Sequence, residues 1–128
     1  MKHMLDPHAL KHILVVDDDG AVLRVLVKAL AGYRLTVARD GDEALLAIGR
    51  ADPVDLVITD YLMPGMMGDE LIGRLRETRP NLKVLVVTGH GDILDRERQG
   101  WWEDARRLTK PFGLDQLTKA VGDLLGEM

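Results

Sequence analysis

The sequence predicts an α/β protein built as a doubly wound, five-stranded parallel sheet with helices on both faces. Three observations point there. Short apolar runs alternate with amphipathic stretches from end to end, with no internal repeat to suggest another architecture. Three of those runs are apolar at consecutive positions rather than at every second one, as in strands covered on both sides by helices. The 128 residues are one domain's worth of chain.

The first strand is expected over residues 12–17, around Ile13-Leu14-Val15-Val16. A helix follows over 21–31, started by Asp19 or Gly20, with Val22, Val25, Leu26, Ala29 and Leu30 at three-and-four spacing as its apolar stripe. A second strand covers 35–38. The second helix, 41–50, turns Ala44, Leu45 and Ile48 inward and is stopped by Pro53. Residues 55–59 form the third strand, and 68–78 the third helix, with Leu71, Ile72 and Leu75 inward and Pro80 as the stop. Residues 83–88 form the fourth strand. The interval 91–100 is the weakest helical pattern, because after Ile93 and Leu94 it has no apolar residue until Trp101; it should be short or irregular. A fifth strand, 106–109, leads to a last helix, 113–125, with Leu114, Leu117, Val121, Leu124 and Leu125 on one face. The order βαβαβαβαβα implies right-handed crossovers. The first, third and fourth strands should be central.

Composition removes several chemistries. The chain has no cysteine, hence no disulfide, no Cys-ligated zinc or iron–sulfur site and no thiol nucleophile. With 17 Lys+Arg against 21 Asp+Glu, the net charge is −4, and no basic stripe is present to neutralise nucleic-acid phosphates. The longest aliphatic runs have four residues, far short of the roughly 20 that cross a bilayer. Residues 1–11 have no apolar secretory core and read as a leader, which places a single domain at 12–128 and fits a cytoplasmic protein.

In a doubly wound sheet, ligands bind outside the carboxyl ends of the strands. Those ends carry Asp17-Asp18-Asp19, Thr59-Asp60, Thr88-Gly89 and Thr109-Lys110-Pro111. Asp19 is accounted for as a helix N-cap. The remaining carboxylates would repel one another, and a hard divalent cation with oxygen ligands, Mg²⁺ above all, relieves that repulsion. A lysine and a threonine facing the cation suit a phosphoryl group. These residues leave open whether the phosphate arrives on a substrate or becomes attached to an aspartate.

The pieces Ile13-Leu-Val-Val-Asp17-Asp18, the block from Asp55 through Thr59-Asp60-Tyr-Leu-Met-Pro64 to Gly68-Asp-Glu-Leu71, Val86-Val-Thr88-Gly89 and Leu108-Thr-Lys110-Pro111-Phe112 resemble, in order and spacing, the receiver domain of bacterial two-component response regulators. The resemblance covers about residues 12–126. It implies a flavodoxin-like (βα)5 fold of strand order 2-1-3-4-5, and it makes Asp60 the phosphoacceptor that takes phosphate from the phosphohistidine of a sensor histidine kinase or a histidine phosphotransfer protein. Mg²⁺ would be held by Asp18, Asp60 and the Leu62 backbone carbonyl, with Asp17 acting through a metal-bound water. Thr88 and Lys110 would contact the phosphoryl oxygens, Gly89 would leave the site open, and a cis bond before Pro111 would aim Lys110 inward. Such a domain catalyses its own phosphorylation and slow dephosphorylation and is not a turnover enzyme.

Two rival readings share these residues. A haloacid-dehalogenase-like phosphatase would use Asp17 and Asp19, but it needs a second acidic pair after the lysine, where only Asp115 and Asp123 follow, both in the last helix. A receiver-like interaction module without phosphorylation would have no use for the complete acidic set. Departures from the family pattern are Arg107, where an aromatic switch residue is usual, and Glu103-Asp104 after Trp101-Trp102. Arg107 should stay outward or pair with an acid, since burying its permanent charge costs several kcal/mol as an order of magnitude. The surface around 91–107 is expected to meet a protein target or a second copy, with no role for nucleic acid or membrane. Within Met63-Pro64-Gly65-Met66-Met67, a turn shaped by Pro and Gly is expected rather than a soft-metal site; His90 reads as a solvent-facing loop residue, and His3, His8 and His12 are too scattered and too close to the terminus for a metal site.

Overall fold

Consecutive strand residues point to opposite faces, so an apolar run such as Ile13–Val16 must be divided between two cores. That division is what the fold shows. The computed structural model describes residues 11–49, 52–89 and 105–126. Its elements are β1 (His12–Val16), α1 (Gly20–Ala29), β2 (Arg34–Ala38), α2 (Gly41–Ala47), β3 (Leu56–Thr59), α3 (Gly68–Arg76), β4 (Lys83–Thr88), β5 (Arg106–Thr109) and α4 (Leu114–Leu124). All neighbouring strands are parallel, in the order β2-β1-β3-β4-β5. The predicted fold class and strand order hold, with β1, β3 and β4 in the centre. The helix expected over 91–100, Trp101 to Asp104, and His3, His8 and His90 lie outside the described residues.

On one sheet face Leu14, Val16, Val57 and Val86 pack against Ala44 of α2 and Leu71, Ile72 and Leu75 of α3. On the other, Ile13, Val15, Ile58 and Val87 pack against Leu23, Leu26 and Leu30 and against Leu117, Ala120 and Val121 of α4. Two of the loop methionines, Met63 and Met66, are buried in the first of these cores, as an apolar reading of that turn requires. The turn itself is made by Gly65, whose φ of +76° is accessible to glycine at little cost.

Two apolar stripes differ from expectation. In α1 the buried residues are Leu23 and Leu26, with Leu30 just beyond, whereas Val25 is 45% exposed. The segment 22–30 is apolar around more than half its circumference, so spacing alone fits several rotations; the structure adopts the one that buries leucines, which remove more area from water than valines. In α4, Leu117, Ala120 and Val121 are buried, but Leu114, its first residue, is exposed.

α2 also ends three residues before the predicted limit. The cause is a residue distant in sequence: Arg79 donates from Nε to the Asp52 carbonyl (3.1 Å) and from its terminal nitrogen to the carbonyls of Gly49 (2.6 Å) and Asp52 (2.8 Å), while Gly49 N–H is taken by Asp52 Oδ2 at 2.9 Å. Backbone groups committed to these bonds cannot continue a helix.

His12, set aside above as one of the scattered histidines, is buried in β1 and fully bonded. Nδ1 lies 2.8 Å from the Pro53 carbonyl and Nε2 2.7 Å from Thr36 Oγ1. A carbonyl only accepts, so Nδ1 donates to it, while Nε2 is hydrogen-bonded to a hydroxyl that can donate or accept. The ring joins three segments of the fold and is no metal ligand.

Candidate functional site

The carboxyl ends of the strands are held level by backbone bonds that extend the ladder beyond it. Asp17 N–H donates to the Ala38 carbonyl (3.2 Å), Asp60 N–H to that of Val16 (3.2 Å) and Lys110 N–H to that of Thr88 (2.9 Å). Asp17, Asp60, Thr88 and Lys110, on four different strand ends, are thereby brought to one edge, as the sequence predicts. Asp17, Asp60 and Thr88 are buried, Lys110 is partly buried and Asp18 is exposed. Leu62 lies in the loop after β3, its side chain packed against the α2–α3 core, so a backbone carbonyl is the donor it has to offer.

Asp19 stands apart from this group. Its Oδ1 accepts from Ala21 N–H (2.8 Å) and Val22 N–H (3.4 Å), capping α1. Its own N–H donates to Asp17 Oδ1 at 2.9 Å, which fixes the neighbouring carboxylate. A carboxylate committed to a helix N-terminus does not supply the second acid of a dehalogenase-type pair.

Carboxylate oxygens of Asp17, Asp18 and Asp60 all lie within 4.8 Å of one another. Among the described residues one cation faces them: Lys110 Nζ donates to Asp17 Oδ2 at 2.8 Å and to Asp60 Oδ2 at 2.9 Å. One positive charge among three negative ones leaves the cluster acidic. Burial raises the pKa of Asp17 above its ordinary value, even though its bonds to Lys110 and the Asp19 N–H act the other way. For Lys110, burial lowers the pKa, but the hydrogen bonds and charges of Asp17 and Asp60 prevail and the net shift is upward.

The two oxygens of Asp60 differ sharply. Oδ2 is held by Lys110, whereas Oδ1 is buried and has no hydrogen-bond partner among the described residues. A buried unpaired carboxylate oxygen is costly and rare in native structures. An oxygen-only donor set containing such an atom fits a hard divalent cation of the magnesium type. At Gly89 the position a Cβ would occupy has no atom of the described residues within 4 Å. The Lys110-Pro111 bond is cis, and Arg107 is exposed, both as expected.

One contributor escaped the sequence reading. A Cβ at Gly68 would sit 2.5 Å from the Asp60 carbonyl oxygen and 3.1 Å from Tyr61 Cα, because α3 begins hard against the end of β3, where Gly68 N–H donates to the Tyr61 carbonyl at 2.8 Å. No local signal marks it, since a glycine opening a helix is ordinary. Gly68→Ala is expected to push back the backbone that carries Asp60, costing about 1–3 kcal/mol and slowing any reaction at that carboxylate. Thermal unfolding and reaction rate measured on the same variant check this; an unchanged melting temperature would contradict the contact.

A family model described as the response regulator receiver domain matches residues 13–122. The chain belongs to that family. It is 36% identical over 118 residues to the response regulator receiver protein CpdR of Brucella abortus (strain 2308), covering 91% of this chain and 98% of CpdR. To the transcriptional regulatory protein GlrR of Escherichia coli (strain K12) it is 36% identical over 120 residues, 92% of this chain but 27% of that regulator. The chain thus spans about a quarter of such longer relatives. Among solved structures, the response regulator TrrA of Thermotoga maritima in complex with Mg²⁺-BeF superposes with a TM-score of 0.77 at 33% identity, covering 91% of this chain and all of that one. The receiver fold therefore places Asp17, Asp18, Asp60, Thr88 and Lys110 at its strand ends. No helix among the described residues is long and apolar enough to cross a membrane.

Proposed function

We propose that this receiver domain accepts a phosphoryl group on Asp60 from the phosphohistidine of a sensor histidine kinase or a histidine phosphotransfer protein, in a Mg²⁺-dependent reaction. The observation that carries this reading is the asymmetry of Asp60: one oxygen is clamped by Lys110 and the other is buried and unpaired. Clamping by Lys110 orients the carboxylate so that one of its oxygens helps to hold Mg²⁺ while the other is the nucleophile. A P–O bond forms at that oxygen as the P–N bond to the donor imidazole breaks, and the imidazole leaves with the electron pair and gains a proton.

Such a transfer needs positioning and charge neutralisation more than a strong base. Asp18, Asp60 and the Leu62 carbonyl are the groups that would hold Mg²⁺, with Asp17 one water removed, and the ion supplies positive charge against the phosphoryl oxygens when bound. Lys110 exchanges its bond to Asp60 for one to a phosphoryl oxygen, and the Thr88 hydroxyl donates to another. The acyl phosphate is later lost to water, so the domain turns over its own modification and no external substrate. Its setting is the cytoplasm, where such kinases present their phosphohistidines.

Incubation with a small phosphodonor such as phosphoramidate, followed by intact mass measurement, tests the proposal. The expected result is addition of one phosphoryl group with Mg²⁺ and none in chelator. Asp18→Ala, which removes an exposed carboxylate and should fold normally, is expected to eliminate the metal response and reduce phosphate uptake by at least about a hundredfold, the scale of losing roughly 2.7 kcal/mol of charge stabilisation. Wild-type metal dependence in Asp18→Ala would remove it from the ligand set.

A further inference from the structure

Among the described residues two hydroxyls are buried at strand ends, those of Thr59 and Thr88, and the reaction gives a role to Thr88 alone. Thr59 is the last residue of β3, in register between Val16 of β1 and Val86 of β4, and both neighbours belong to the apolar core under α2 and α3. A hydroxyl in such a place costs free energy unless it is bonded, and valine would supply the same shape without that cost. The bond it makes is to the backbone beside it: Thr59 Oγ1 donates to the Asp60 carbonyl at 2.9 Å. That carbonyl oxygen is the atom against which the start of α3 packs, 2.5 Å from where a Cβ at Gly68 would be. The backbone that follows is committed in order. Asp60 N–H donates to the Val16 carbonyl (3.2 Å) and Gly68 N–H to that of Tyr61 (2.8 Å), so the carbonyls of Asp60 and Tyr61 both accept a bond. The Leu62 carbonyl accepts none among the described residues.

We propose that Thr59 is a positioning residue for phosphoryl transfer, its hydroxyl holding the peptide plane between Asp60 and Tyr61 so that the Asp60 carboxylate and the Leu62 carbonyl present their oxygens to the same Mg²⁺. The inference rests on the reading of Asp60 as acceptor and Leu62 as metal ligand given above. A peptide unit is planar, so fixing the Asp60 carbonyl oxygen restrains ψ of Asp60 and φ of Tyr61, two of the rotations that separate the Asp60 side chain from the loop carrying Leu62. Removal of the hydroxyl leaves a buried carbonyl without its donor, and the plane turns to find another. Both oxygens then leave their places together. Thr59 acts through these groups and not as a ligand, because its hydroxyl proton is engaged with the backbone.

Two substitutions in the full chain separate positioning from packing. Thr59→Val keeps the shape and removes the donor, whereas Thr59→Ser keeps the donor and loses a buried methyl. For each, and for the wild type, Mg²⁺ affinity is measured by calorimetry, the Leu62 carbonyl carbon resonance is followed as Mg²⁺ is added, the melting temperature is taken in chelator, and phosphorylation by phosphoramidate is timed at saturating Mg²⁺. Thr59→Val is expected to bind Mg²⁺ about tenfold more weakly, the scale of one lost hydrogen bond. It should also lose most of the Mg²⁺-induced shift at Leu62 and lower the maximal phosphorylation rate, with the half-saturating phosphoramidate concentration unchanged. Thr59→Ser should melt below the wild type and yet match it in metal affinity and rate, an order that a merely structural role would reverse. Wild-type Mg²⁺ affinity in Thr59→Val, or weakened Mg²⁺ binding in Thr59→Ser, would overturn the proposal, the second even if the valine variant fails to fold. Phosphate uptake at equal rates by the wild type and Thr59→Val would overturn this inference alone, whereas a wild type that takes up no phosphate with Mg²⁺ would overturn the proposed function and this inference with it.

Discussion

Asp60→Asn is expected to abolish phosphoryl uptake while leaving the fold intact. The amide has the same shape, and its oxygen can still accept from Lys110 in the place Oδ2 now occupies at 2.9 Å. An amide carries no charge and its nitrogen lone pair is delocalised, so no carboxylate is left to attack the donor. The substitution also removes one negative charge from three that lie within 4.8 Å, so the metal-free protein should be as stable as the wild type or more so, by about 1 kcal/mol. Loss of labelling together with an unchanged or raised melting temperature therefore separates chemistry from folding. Undiminished labelling of the variant would place the acceptor elsewhere, and with it the whole assignment of the strand-end cluster.

The second large effect links metal, pH and stability through Asp17. Its folded pKa lies above the ordinary 3.8, first because burial penalises the charge. The folded state therefore holds this proton more tightly than the unfolded chain does. Its contribution to stability is fully present below the unfolded value and is lost as pH rises through the folded one. Lys110, also raised, favours the folded state at all lower pH and loses that contribution only as pH climbs through its folded value, above the ordinary 10.5. Without Mg²⁺, Asp17 should thus lower the melting temperature between acid and neutral pH. Mg²⁺ should reverse the loss, since it binds ionised carboxylates of the folded form, and a hundredfold excess over Kd corresponds to about 2.7 kcal/mol. Asp17→Asn should remove this pH-dependent loss, stabilise the metal-free protein by about 1 kcal/mol and blunt the Mg²⁺ response. Melting curves across that range, with Mg²⁺ and with chelator, check each sign. A wild type whose stability rises steadily toward neutral pH in chelator, through a step missing from Asp17→Asn, would contradict the account.

The sequence by itself determined the sheet and the address of the site. Continuous apolar runs at β1, β3 and β4 can be buried only in a sheet covered on both faces, and a parallel sheet brings all strand ends to one edge. Asp17, Asp60 and Thr88 sit at the ends of those three strands and Lys110 at the end of β5, so their convergence was legible from order alone. The cap at Asp19 was legible too, because its bonds reach only two and three residues along the chain. What only the tertiary structure decided depends on atoms distant in sequence. The rotation of α1 was settled by which side chains fill the space above β1 and β3, since its apolar residues cover too wide an arc for spacing to choose. The end of α2 was set by Arg79, about thirty residues away, competing for its carbonyls. The closeness of Gly68 to the Asp60 carbonyl, and the division of Asp60 into one clamped and one unpaired oxygen, exist only once β3, α3 and Lys110 are packed together, because a pattern of residue types carries no information about which lone pair a neighbour has taken.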